Sequence, residues 1–165
     1  MESSMDIPYL LQHTAAMMQR QSDQILQERL GIGISQLRIL IILEQEPNVQ
    51  QRKLADHLGQ TESSISLQIK LMAEKGYLTV GVNPKSKREH LAVLTPKGLK
   101  ITQAAGEVLN GYNQPLAKTM GDKRQKALQE LLSLVHDYTC VPGKPFACDH
   151  SSKIEFEVKA RGTYN

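Results

Sequence analysis

The sequence predicts a mainly α-helical protein with one small β-hairpin. Near the C-terminal end, apolar residues recur at the i, i+3, i+4, i+7 spacing of a helix, at Leu128, Leu131, Leu132 and Val135. Residues 78–82 and 91–94 instead have the character of strands, and Asn83-Pro84 between them is a turn signal. A chain of 165 residues suffices for one domain with a real core, or for one compact unit with helices that pair with a second copy.

Two helices are expected before residue 48. Two glycines stop the first helix, which should run from about 6 to 30. Ser35 is a good N-cap for the second helix, and Pro47 ends it. The second helix is apolar nearly all round, at Leu37, Ile39, Leu40, Ile41, Ile42 and Leu43. Such a pattern favours a helix buried inside the domain.

Two shorter helices should follow. Residues 50–58 form the first of them, and Gly59 supplies the left-handed residue that closes a helix. Thr61 opens the second, which runs to Lys75 and stops at Gly76.

The region after the hairpin is expected to be helical as far as about residue 139. Thr95-Pro96 gives an N-cap followed by proline at the first helical position. Pro115 should bend this helix, and Asp122 caps a last one. Residues 140–165 form a tail of uncertain structure, in which Ile154, Phe156 and Val158 alternate as in one short strand.

Together these elements have the layout of a winged helix-turn-helix, with a basic loop in the hairpin that serves as the wing. Lys85, Lys87 and Arg88 lie in that loop, and the segment from Asn83 to Lys100 has five Lys or Arg against one Glu. The net charge of the whole chain is only +3, so a nucleic-acid footprint must come from such local clustering. A merely solvated face is the alternative interpretation of the same run. A helix that fits a major groove beside a cationic loop makes duplex DNA the leading partner.

The helix from 63 to 75 has one side for the core and one for DNA. Ile65, Ile69 and Met72 fall on the core side. The other side, left for solvent or DNA, carries Ser63, Ser64, Ser66 and Lys70. Serines can bond phosphates or base edges, whereas Lys70 is expected to meet phosphate, or a guanine at most. Two roles are open for Gln68: a bidentate pair with adenine, or hydrogen bonds to backbone on the helix flank.

Several motifs resemble the MarR family of winged-helix transcription regulators. They are Leu54-Ala55-Asp56-His57-Leu58-Gly59, Ser63-Ser64-Ile65-Ser66, Glu74-Lys75-Gly76-Tyr77-Leu78, and Lys87-Arg88 leading into Leu94-Thr95-Pro96-Lys97-Gly98. The last group is the more specific, and the helix order fits the family over about 6 to 139. The resemblance implies homodimers on pseudo-palindromic operators, often released by a small anionic or aromatic effector. It implies a DNA-binding domain at 35–98 and dimerisation helices at 6–34 and 99–139.

The resemblance also assigns roles to individual residues. Arg88 corresponds to the arginine that the family inserts into the minor groove, where narrow A·T-rich segments concentrate negative potential. The family usually has an Asp two residues earlier, where this chain has Ser86. Within the helix, Leu67 stands where Arg or Lys is frequent, and Gln68 stands where a buried Leu is usual. We therefore expect a transcriptional regulator, acting as a repressor.

Other function classes have little support. The chain has no Gly-rich phosphate loop, nucleophile elbow or paired carboxylates on one predicted face, so no enzyme, cofactor or metal site is expected. No run of about 18 apolar residues and no leader pattern is present, so a cytoplasmic protein without membrane association is expected. Cys140 and Cys148 are too few for a disulfide framework, and a redox switch through them is a hypothesis. The remaining rival is a winged helix that binds protein partners.

Overall fold

The computed structural model describes residues 6–83 and 86–140, with the backbone alone for residues 82, 83 and 86–90. Its elements are α1 (Ile7–Leu30), α2 (Ile34–Gln45), β1 (Val49–Gln50), α3 (Gln51–Leu58), α4 (Glu62–Glu74), β2 (Leu78–Asn83), β3 (Ser86–Leu94) and α5 (Pro96–Thr139). The predicted fold class, mainly helical with a small β wing, is confirmed. Lys85, Cys148 and the alternating 154–158 segment lie outside the described residues.

The start of α2 differs from the sequence prediction. Ser35 was the expected N-cap, but the cap is Gly33, and Ser35 lies within the first turn. The reason is a distant partner, because Asp23 Oδ1 on α1 accepts the Ile34 N–H at 2.8 Å. A Cβ at Gly33 would lie 2.9 Å from the same carboxylate oxygen, so a larger residue there would displace the Asp23 side chain.

Helix α2 is buried on all sides, as its composition predicts, and it separates two hydrophobic clusters. One cluster joins α2 to β1, α3, α4, β2 and β3, with Ile39, Leu40, Ile42 and Leu43 as the contribution of α2. The other joins α2 to α1 and α5 through Leu37 and Ile41, which pack with Leu26 and Ala105. Every residue of both clusters is at most 5% exposed. Helix α2 therefore packs on one side against the rest of the winged unit, which comprises α2 to β3, and on the other side against the terminal helices, α1 and α5.

The sheet has three strands in the order β1-β3-β2, all antiparallel. The hairpin β2–β3 was predicted, whereas β1 was not, because two residues are too few to show a strand pattern. Val49 pairs with Ala92 and Gln50 with Leu91. The second strand of the hairpin is also longer than predicted. Lys87 and Arg88, which were expected in a loop, lie on β3, because the strand already begins at Ser86.

Helix α5 is broken near its middle. The residue with non-helical dihedrals is Gly121, at φ 67° and ψ 163°, directly before Asp122, where a separate last helix was predicted to begin. A bend at Pro115 stays a prediction. Gln125 Nε2 donates to the Ala117 carbonyl oxygen at 3.0 Å and so bridges this break. Although α5 extends over 44 residues, neither it nor any other helix in the described segments is long and apolar enough to cross a membrane.

Candidate nucleic-acid interface

The candidate interface consists of α4 and the β2–β3 hairpin. Helix α3 closes at Gly59, whose φ of 60° is left-handed, and the chain turns into α4 within three residues. Thr61 is the N-cap of α4, since its Oγ1 accepts the Ser64 N–H at 3.2 Å. This cap satisfies one of the amide groups that a helix start leaves without an intrahelical partner. The start of α4 is thereby fixed at Thr61.

The two sides of α4 differ as their spacing predicts. Ile65, Ile69 and Met72 are at most 2% exposed and belong to the core of the winged unit. The opposite side is open to solvent, with Ser63, Ser66, Leu67 and Lys70 all exposed. Ser66 and Lys70 form no hydrogen bond or ion pair with any residue that the structure describes. Both side chains are therefore free to meet another molecule.

Ser64 and Gln68 lie apart from this open face, in a polar network centred on Gln60. Gln60 Oε1 accepts from Gln68 Nε2 at 2.8 Å and from Ser64 Oγ at 3.3 Å. Gln60 Nε2 donates to Ser35 Oγ on α2 at 3.2 Å. Of the two roles open for Gln68, the structure places it on the helix flank, half-buried, bonded to side chains rather than to backbone. Its Oε1 is buried and has no partner among the described residues.

The net charge of α4 does not favour DNA. From Glu62 to Glu74 the helix carries one lysine, Lys70, against two glutamates. A surface that attracts phosphates therefore depends on the cations of the hairpin. The backbone of Lys87 and Arg88 lies on β3. The third cation, Lys85, lies outside the described residues.

The base of the hairpin is held by Thr95, at the junction with α5. Thr95 Oγ1 donates to the carbonyl oxygens of Gly76 and Tyr77, at 2.8 and 3.0 Å, and accepts the Gly98 N–H at 3.0 Å. Gly98 packs against the same backbone, since a Cβ there would lie 1.9 Å from the Tyr77 carbonyl oxygen. The Thr-x-x-Gly part of the sequence motif thus joins the hairpin to α5.

Two lysines in the sequence motifs donate to backbone carbonyl oxygens within the protein. Lys75 Nζ donates to the Gly31 carbonyl oxygen, at the end of α1, at 2.7 Å. Lys97 Nζ donates to the Lys75 carbonyl oxygen at 2.7 Å and lies 5.2 Å from the centroid of the Tyr77 ring. They connect the end of α4 with α1 and α5.

Comparison with known proteins shows which family this chain is similar to. The sequence profile described as "MarR family" matches residues 30–89, which include all of α2, α3 and α4. HTH-type transcriptional regulator BilQ of Clostridium symbiosum (strain WAL-14163) is 24% identical over 102 residues, which cover 62% of this chain and 71% of BilQ. Over residues 30–89, the chain is therefore similar to the MarR family of transcriptional regulators.

Solved structures, among them a MarR-family transcriptional regulator, share the fold. Sco3205 from Streptomyces coelicolor, in complex with DNA, superposes with a TM-score of 0.69 at 20% identity, covering 82% of this chain and 87% of Sco3205. CouR from Rhodococcus jostii RHA1, bound to p-coumaroyl-CoA, gives a TM-score of 0.66 at 21% identity, covering 80% of this chain and 92% of CouR. At these identities the likeness shows the MarR fold.

Sequence reasoning missed two residues that shape this MarR-type surface. Gln60 showed no signal, because a single polar residue between two short helices is ordinary turn composition. Asp23 lies 11 residues before its partner Ile34, on a different helix, so no local pattern relates the two. Leu67 was visible only as a departure from the family pattern, and the structure shows it 59% exposed on the open side of α4.

Proposed function

We propose that this protein binds duplex DNA specifically, with α4 in the major groove and the hairpin against the backbone and minor groove. The observation that carries the proposal is the exposed side of α4, with Ser63, Ser66 and Lys70, backed by a fully buried apolar side. A rigid helix with short polar side chains on one face fits a major groove. Sco3205, which has the same fold, is in complex with DNA, and this supports DNA as the partner.

The candidate residues divide by the kind of contact that each would make. Ser63 and Ser66 reach base edges or phosphates, and Lys70 pairs with a phosphate. Ser64 and Gln68 act through the Gln60 network, which orients α4 relative to α2.

The hairpin cations supply the remaining contacts in this proposal. Lys85 and Lys87 neutralise phosphates, and Arg88 enters the minor groove. Because α4 has more acidic than basic residues, the affinity depends mainly on these three side chains.

We also propose that two copies form a homodimer through residues 6–34 and 99–139, leaving 35–98 to bind DNA. The terminal helices carry large apolar side chains that are exposed in the single chain: Ile7, Tyr9, Leu10, Tyr112, Leu116, Leu128, Leu131, Leu132, Leu134 and Tyr138. An isologous interface between two such faces buries them. The two α4 helices would then lie about 34 Å apart, one turn of B-DNA, and read a pseudo-palindromic operator.

Repression and release by an effector complete the proposal. A dimer bound over a promoter excludes other proteins from that segment of duplex, so repression is the expected mode. CouR, of the same fold, is bound to p-coumaroyl-CoA, an aromatic and anionic molecule. A small ligand of that chemistry, bound between the terminal helices and the winged unit, would release DNA if it bound the free dimer more tightly.

The experiment is selection of bound duplexes from genomic fragments, followed by footprinting and a small-molecule screen for release. Two half-sites with centres one helical turn apart, protected together, are the expected result. No enrichment of any duplex over unrelated competitor DNA would refute the proposal. The alternative is a protein-interaction module, which the exposed Leu67 and Leu71 on α4 favour. This alternative predicts that no duplex is enriched.

A further inference from the structure

Leu67 stands out on the face of α4 that is offered to solvent. Its side chain is 59% exposed, and it lies one helical turn from Ser63 and three residues from Lys70, on the same side of the helix. The core residues Ile65, Ile69 and Met72 lie on the other side. A single exposed leucine on a surface is common. This one, however, is placed in the middle of the surface that would enter the groove.

Three polar side chains near Leu67 already form hydrogen bonds within the protein, whereas Ser66 and Lys70 form none with the described residues. Gln68 donates to Gln60 and Ser64, and Ser64 donates to Gln60, so both side chains are held within the protein. Ser63 Oγ is itself bonded to Thr61 Oγ1 at 3.0 Å. At the centre of the face an apolar side chain therefore takes the place of a hydrogen-bonding one.

Only one base edge offers an apolar group in the major groove, the C5-methyl of thymine. We propose that Leu67 is a specificity-determining residue that packs against a thymine methyl in each half-site. This inference rests on the proposed function, because it requires α4 to lie in the groove. It predicts that the operator has a thymine at the position facing Leu67, and that the methyl rather than the hydrogen-bonding edge is recognised there.

The expected size of the effect follows from the group that is removed. Deoxyuridine pairs like thymidine and lacks only the methyl. Loss of one buried methyl-sized group corresponds to about a fourfold loss of affinity. In a symmetric dimer the substitution occurs in both half-sites, which multiplies to about fifteenfold.

The test is a deoxyuridine scan of the tightest duplex recovered by selection from a random-sequence pool. Each thymine is replaced in turn, symmetrically in both half-sites, and affinity is measured for the wild type, Leu67→Ala and Leu71→Ala. The affinity of the wild type should fall about fifteenfold when deoxyuridine replaces thymine at one symmetric position. Leu67→Ala should bind the thymine and deoxyuridine duplexes equally at that position. Leu71→Ala is the matched control from the helix flank and should keep the discrimination.

The outcomes separate this inference from the proposed function. Selective binding with no deoxyuridine effect at any position would overturn the inference alone. The same holds if Leu67→Ala keeps the full discrimination, since another residue would then contact the methyl. Absence of any selective duplex binding would overturn the proposed function, and this inference with it. Unfolding of Leu67→Ala should match the wild type, since the side chain lies outside the core.

Discussion

Replacing Gly98 with alanine should destabilise the junction between the hairpin and α5. A Cβ at this position would lie 1.9 Å from the Tyr77 carbonyl oxygen and 2.7 Å from Leu94 Cδ1. The carbonyl is backbone and must retreat by about 1.5 Å before the distance reaches 3.4 Å, where ordinary contacts begin. That oxygen accepts two hydrogen bonds from Thr95, through its N–H at 3.1 Å and its Oγ1 at 3.0 Å. Overpacking together with weakened hydrogen bonds should cost about 3 kcal/mol.

The assay is thermal or urea unfolding at one fixed protein concentration, since dimer stability depends on concentration. For a chain of this length, 3 kcal/mol corresponds to a fall in melting temperature of roughly 6–12 °C. The matched control is Gly111→Ala in the same helix, where no atom lies within 4 Å of the added Cβ. The control should gain about 0.5–1 kcal/mol from its improved helix propensity. A Gly98→Ala variant as stable as the wild type would refute the inference that this close approach fixes the wing.

Three further substitutions test separate parts of the account. Arg88→Ala should lower operator affinity about tenfold and change the free energy of unfolding by less than about 0.5 kcal/mol. An unchanged affinity would show that the wing does not contact the DNA. The double variant Leu131→Glu, Leu134→Glu, at positions 64% and 69% exposed in the single chain, should sediment as a monomer and lose operator binding. A dimer of wild-type affinity would exclude these side chains from the interface. Thr61→Ala should lower the free energy of unfolding by about 1 kcal/mol, because α4 loses its N-cap. The control is Thr79→Ala at an exposed position, and a smaller loss for Thr61→Ala than for this control would contradict the capping role.

The sequence predicted the elements whose signals are local. The all-round apolar run of α2 predicted its burial, and Thr95-Pro96 predicted the start of α5, because both depend only on residue type and spacing. The three core positions of α4 followed from helical periodicity in the same way. Each of these features can be predicted without knowing which distant residues pack against the helix.

Features set by distant partners could not be predicted from the sequence. The cap of α2 is determined by Asp23 from another helix, and the pairing of Val49 with Ala92 joins residues far apart in sequence. The break in α5, by contrast, lies at Gly121, directly before Asp122, where the sequence predicted a separate last helix to begin, and its positive φ is open to glycine at little cost. At the site, the placement of Gln68 required knowledge of Gln60, whose amide meets it only after α3 and α4 have packed.

The central claim, that α4 and the cationic wing bind the backbone and grooves of a duplex, is tested most directly by the salt dependence of operator affinity. Lys70, Lys85 and Lys87 give six proposed phosphate contacts in a dimer. Between about 50 and 200 mM salt, six such contacts predict a fall in affinity on the order of 10³-fold. An affinity that changed by less than about threefold over this range would contradict the claim.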